Sequence, residues 1–202
     1  MQVNKPSTVH FVLIFIFSIG CDNPFASREV EAPETQQATN WIPPTKASDV
    51  LDNLLNAIKD QNLTNYMNAL TNTALNGRKY KFRPDKKALI RFPGVWDNWD
   101  LDTETTYIIN VFQAVPDDSN LSMIFLGEGI ETPLPDSTVI IRDYELYVPH
   151  IRTTGQFPRL IKGRAEFHLA INAEGFWAIF TWIDDSIEDN SSWSELKASF
   201  TQ

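Results

Sequence analysis

Groups that could move protons or hold metals are sparse in this chain. It has one cysteine, Cys21, and three histidines, His10, His150 and His168, far apart in sequence. A cysteine-based zinc site and an internal disulfide are thereby excluded. No Gly-x-Ser-x-Gly elbow, glycine-rich phosphate loop or His-Glu-x-x-His motif is present, and no cofactor is expected. The remaining proton-transfer groups of interest are Asp184, just past the apolar run Phe176–Trp182, and His150, just past Pro149. Both fall at the ends of strand-like segments, and Asp184 is expected at a rim. Neither has a neighbour in sequence, such as the members of a Tyr–Asp pair, that would tune it.

The densest acidic stretch is Asp97, Asn98, Asp100, Asp102 and Glu104. Calcium takes six to eight oxygens. Here, however, the spacing is not that of a calcium loop and no glycine falls at the required turn. The stretch is expected to place favourable negative charge at a helix amino terminus, with no metal bound. Phe92, Trp96 and Trp99 form an aromatic cluster beside it. Such rings stack on sugars or bases, but a base platform needs positive charge around it. Core packing is the expectation.

Helices come first among the elements that must position these groups. Val50, Leu51, Leu54, Leu55 and Ile58 recur at helical spacing after Thr45 or Ser48, either of which can cap. A short helix is expected over 63–70. Asn76-Gly77 signals a turn, and 79–92 reads as a short strand and a loop. The third helix carries Tyr107, Ile108, Val111, Phe112 and Val115 on one stripe, capped by Asp102 or Thr103 and stopped before Pro116. The period then changes to two. Strands are expected over Leu121–Leu126, Thr138–Val148, Ile161–Asn172 and Phe176–Ile183, the last two joined by a hairpin at 172–175. Within the third of these, Ala165, Phe167, Leu169 and Ile171 face one way and Arg164, Glu166 and His168 the other. The fourth is apolar on both faces: Phe176, Phe180 and Trp182 against Trp177, Ile179 and Ile183. Its second face is expected to be covered by the segment Trp193–Phe200, opened by the capping box Ser192-x-x-Glu195. A homodimer through the sheet is the rival cover. Grouped helices followed by a meander make an α+β fold with an antiparallel sheet and a short carboxy-terminal helix.

Composition narrows the partners. With 17 Lys+Arg against 26 Asp+Glu the formal charge is −9, which repels phosphate backbones, so no nucleic acid is expected. At the amino terminus, Val9–Ile19 is an apolar run too short for a membrane span of roughly 20 residues. It ends at Gly20-Cys21, like an export signal. Ser18-Ile19-Gly20-Cys21 resembles the lipobox of bacterial lipoproteins, with Ser18 where Leu is usual. The resemblance implies a signal peptide over 1–20 and a mature protein that begins at acylated Cys21. It also implies a location in the cell envelope, lipid-anchored outside the cytoplasmic membrane. Residues 21–44 are proline-rich and lack an apolar period, as a tether does. Trp41-Ile42 is expected to pack on the domain at 45–202.

The order of elements resembles the cone-shaped nuclear transport factor 2-like superfamily. So do the entry Trp99-Asp-Leu-Asp-Thr-Glu104 and the closing pattern from Gly175 through Asp184 to Trp193-Ser-Glu-Leu-Lys197. These pieces are also similar to a group of bacterial lipoproteins with no assigned activity. The resemblance implies helices plugging a strongly curved sheet, with a pocket near Tyr107, Tyr144, His150, Trp182 and Asp184. Superfamily members include binders, interaction modules and enzymes that use a cavity Asp or His. Two functions follow. One is an anchored module that meets a small apolar ligand or an envelope protein. The other is a pocket isomerase or dehydratase using Asp184 or His150. A filled cavity favours the first, and an open one holding a desolvated acid the second.

Overall fold

A computed structural model describes residues 40–152 and 157–201. The leader expected over 1–20, the lipidation site Cys21 and the tether up to residue 39 lie outside the described residues.

Helix α1 (Ala47–Lys59) buries Val50, Leu51, Leu54 and Ile58, the expected stripe. Its first turn is closed by Asp49, whose carboxylate accepts from the Lys46 amide at 2.9 Å and from the Thr45 hydroxyl at 3.4 Å. Two short helices follow, α2 (Leu63–Asn68) and α3 (Thr73–Asn76), the latter ended by Gly77 at φ 68°. The segment 79–92 holds strand β1 (Lys81–Arg83) and, in place of the expected loop, helix α4 (Lys86–Arg91). The Asp85 carboxylate caps α4 by accepting from Lys87 and Ala88 amides at 2.7 and 3.0 Å. Helix α5 (Leu101–Ala114) is capped by Asp100, two residues before the nearer predicted cap, Asp102.

Four longer strands follow: β2 (Ser122–Pro133), β3 (Ser137–Tyr147), β4 (Leu160–Ile171) and β5 (Trp177–Ser186). With β1 they form one curved sheet in the order β1-β5-β4-β3-β2, antiparallel except for β1 against β5. Strand β2 runs well beyond the expected Leu126. Its register with β3 shifts between Leu126 and Ile130, where Gly127 takes φ 60°. Helices α1, α5 and α6 (Trp193–Thr201) lie over the inner face, which carries Met123, Ile140, Tyr144, Leu146, Ile161, Ala165, Phe167 and Leu169. The outer face is polar along β3–β4, with Arg164 gripping Asp143 through two bonds of 2.6 and 3.1 Å and Lys162 meeting Glu145 at 2.7 Å.

Two expectations fail at β5. His168 pairs with Thr181 but Leu169 pairs with Ile179, so Phe180 is an extra residue bulged out of the ladder. The bulge resets the alternation. Ile179, Trp182 and Asp184 therefore share the inner face, and Phe180 lies half-buried under the Arg78 guanidinium, 4.5 Å from the ring centroid. The carboxy-terminal helix also goes to the other side. Helix α6 enters the inner face, where Trp193 packs edge-on against Trp182 (4.4 Å) and Tyr144 (5.2 Å). Its polar groups find partners there: Ser194 meets Asp184 and Lys197 meets Glu104.

Candidate functional site

Helix α6 brings Lys197 into the centre of the cone. Its ammonium lies 4.5 Å from the ring centroids of Phe82 and Trp182 and 4.7 Å from that of Tyr107, and is wholly buried. It donates to Glu104 Oε1, the carboxylate of the third-helix entry. Glu104 also accepts from the Tyr66 hydroxyl at 2.6 Å, the Trp99 indole at 2.7 Å and the Tyr80 hydroxyl at 3.2 Å. Burial pushes the Lys197 ammonium down from its ordinary pKa, while Glu104 opposes the shift. Burial and the Glu104 charge raise the Tyr66, Tyr80 and Tyr107 hydroxyls well above the usual range, and Tyr66 and Tyr80 serve as neutral donors to Glu104. A buried ion pair needs such supporting donors, because desolvating two charges costs several kcal/mol per ion. Glu104 was expected as surface decoration of a helix end. A Glu in that position and a Lys on the apolar side of a short helix are separately ordinary, and no local pattern links them.

A second buried network holds the start of α6. Asp184 Oδ2 accepts from the Ser194 amide at 2.6 Å and its hydroxyl at 2.5 Å, and Oδ1 accepts from the Tyr144 hydroxyl at 2.7 Å. Tyr144 in turn accepts from the Trp193 amide at 2.7 Å. The Ser194 hydroxyl accepts from the Asp85 amide at 3.0 Å, and Ser192 donates to the Asp85 carboxylate. Burial pushes the Asp184 carboxyl up to about 6, against the lowering effect of the Ser194 and Tyr144 bonds. Asp184 is thus interior, not at a rim, and it does have a tyrosine partner, 40 positions away. That pairing was invisible because it joins neighbouring parts of the sheet across β4.

Of the five predicted pocket residues, Tyr107, Tyr144, Trp182 and Asp184 gather around Trp193 and Lys197. Tyr107 accepts from the Trp193 indole at 2.8 Å. His150 is placed apart, against Phe200 with ring centroids 5.7 Å apart, and its Nε2 pairs with the Phe157 carbonyl at 3.1 Å. Its desolvation lowers the imidazole pKa. All five are buried, and none lines the two larger clefts.

One open space is at the mouth of the cone. A cleft of about 390 Å³ lies between α1 and strands β2–β3, with Leu51, Leu55, Met123, Phe125 and Ile140 as its apolar walls. Its cation is Arg142. The guanidinium lies 5.1 Å from the Phe125 ring centroid and donates one long bond of 3.4 Å to the Gly127 carbonyl. Its Nε–H is buried without a partner. Gly129 leaves the room for this side chain: a Cβ there would fall 2.4 Å from Arg142 Cδ. Asp52 and Glu131 complete the polar lining. Sequence reasoning missed Arg142, an arginine inside a strand whose face is fixed by pairing with Ala165.

No protein-family profile and no curated protein matches the sequence. Solved structures do match in shape. A conserved protein from Planctomyces limnophilus has a TM-score of 0.52 at 12% identity, covering 69% of this chain and 92% of its own. A nuclear transport factor 2-like superfamily protein from Salmonella enterica serovar Typhimurium has 0.51 at 10%, covering 70% and 88%. A Novosphingobium aromaticivorans protein provisionally described as an aromatic ring hydroxylase has 0.51 at 12%, covering 74% and 92%. This chain has the nuclear transport factor 2-like cone fold. At such identities the likeness carries the fold and no activity.

Proposed function

We propose that this chain is a lipid-anchored envelope protein whose cone domain binds a small ligand at the mouth cleft and does no chemistry on it. The observation that carries the reading is the plug. Helix α6 fills the cone with Trp193 and Lys197, and every hydrogen-bonding oxygen of Asp184 is engaged by Tyr144 or Ser194. A general acid or base must reach its substrate within hydrogen-bonding distance. Asp184 and His150 are both buried, so the isomerase or dehydratase reading lacks a reachable group.

The mouth cleft fits binding. Its volume lies in the range of small-ligand sites, with apolar walls and few polar groups. Arg142 offers several N–H donors and makes no ion pair among the described residues. The ligand is therefore apolar in body, with a carbonyl or carboxylate acceptor for the guanidinium. The anchor rests on the Gly20-Cys21 pattern after the apolar run.

Native mass spectrometry of the full chain purified from its own membranes tests the reading, together with titration by a dansyl-labelled fatty acid. Arg142→Met should weaken binding about tenfold, equivalent to about 1.4 kcal/mol. Ile140→Trp should abolish it by filling the cleft. Equal binding by wild type and both variants would remove the cleft from the function.

A further inference from the structure

A different cleft, lined by other residues, has the chemistry of a sugar site. We infer that the hollow between the entering chain, the end of α2 and the β4–β5 hairpin binds a neutral saccharide. Its volume is about 410 Å³. Trp41, Phe176 and Trp177 line it, each half-buried. The Trp41 side is fixed to the domain through Asn53, which accepts from the Ile42 amide at 2.8 Å and donates to its carbonyl at 2.6 Å. The Trp177 amide donates to the Pro44 carbonyl at 2.9 Å. The aromatic walls are thus held in place before any ligand arrives, which lowers the ordering cost of binding.

The polar groups are neutral amides with donors to spare. Asn172 Oδ1 is occupied by the Glu174 and Phe176 amides at 2.9 and 3.0 Å, and Asn72 Oδ1 by the Ala74 amide at 2.9 Å. The NH₂ group of each donates to no other group among the described residues. Asn68 adds a third amide, and Glu174 supplies an exposed acceptor carboxylate. Thr71 also lines the hollow, and its hydroxyl is buried without a partner. No Lys, Arg or His among the described residues lines it.

These features select among ligand classes. A phosphate or carboxylate would meet Glu174 and no cation. A purely apolar ligand would strip water from three amides and return nothing, which costs free energy for each unpaired group. A sugar ring presents C–H faces to the indoles and hydroxyls to the amides and the carboxylate. It satisfies both halves of the lining at once.

The full chain, held in a polyoxyethylene detergent that carries no sugar, is titrated calorimetrically. The probes are neutral cello-, malto- and chito-trisaccharides, with trigalacturonate and choline as the charged arms. At least one neutral trisaccharide should bind, and Trp41→Ala and Asn68→Asp should each weaken it about tenfold. Arg142→Met, at the other cleft, should leave it unchanged. Melting curves establish that the variants are folded. The inference is overturned if every neutral probe binds more weakly than about 10 mM. It is equally overturned if folded Trp41→Ala binds as well as wild type, or if choline or trigalacturonate is preferred.

Discussion

Glu104 and Lys197 make the strongest energetic demand of any two side chains here. Each is wholly buried, and each would be left as an uncompensated charge if its partner went. Glu104→Ala or Lys197→Ala should therefore cost about 3–5 kcal/mol by denaturant unfolding. The double change Glu104→Leu with Lys197→Met should cost less than the two single losses added together, because no orphan charge remains. Additive losses would mean that the pair is not coupled. Asp184 makes a demand of the opposite kind. Its folded pKa, about 6, lies above the ordinary carboxylate value. The folded state therefore binds its proton more tightly, and stability drains away as pH rises from about 4 through about 6. The amount is about 3 kcal/mol. Relative to Asp184→Asn, which cannot ionise, the wild type should lose that much between about pH 4 and pH 7; parallel pH profiles would show that Asp184 does not titrate this way. Neither residue announced its role in sequence. Asp184 was singled out by type and parity, but burial and the Tyr144 partner depend on β3 and β5 both flanking β4. Glu104 read as an ordinary first-turn acid because its four donors come from α2, the residue before β1, the α4–α5 loop and α6.

Among the elements, β4 shows how a small residue makes room for a network. Gly163 faces inward opposite Tyr144, and a Cβ there would lie 2.4 Å from the tyrosine oxygen and 2.8 Å from the Asp185 carbonyl. Backbone is not easily moved. Gly163→Ala should destabilise the domain by about 1–3 kcal/mol through overpacking and loosen the Tyr144–Asp184 bond. A melting midpoint equal to wild type would contradict the close approach. The apolar stripes of α1, α5 and α6 were legible from spacing, as was the alternation of β4, since period reports which side of an element is buried. It does not report which surface buries it. Hence Trp193, Leu196 and Phe200 were recognised as one face but assigned to the wrong side of the sheet. The bulge at Phe180 was equally hidden, because an inserted residue leaves a strand-like sequence strand-like while exchanging its faces.

At the scale of the whole molecule, Trp41, Ile42 and Pro44 pack on the domain, so the folded unit begins a few residues before α1. The anchor is tested by a fatty-acid probe fed to cells. Label should enter wild type and be absent from Cys21→Ala, which should also leave the membrane fraction. Label retained in Cys21→Ala would place the acyl group on another residue. The cone fold itself was legible from element order, because helices first and a meander after allow few arrangements. The filling of its cavity was not, since that depends on contacts between distant segments. Lys197 meets Glu104 across 93 positions, and Ser192 meets Asp85 across 107. Loop closure over such separations slows folding, since chain entropy is spent before the contacts form. A growing chain has made all five strands by Ser186, yet Glu104 still lacks its lysine until residue 197 has emerged. The cone thus waits for its plug until well after its last strand is made.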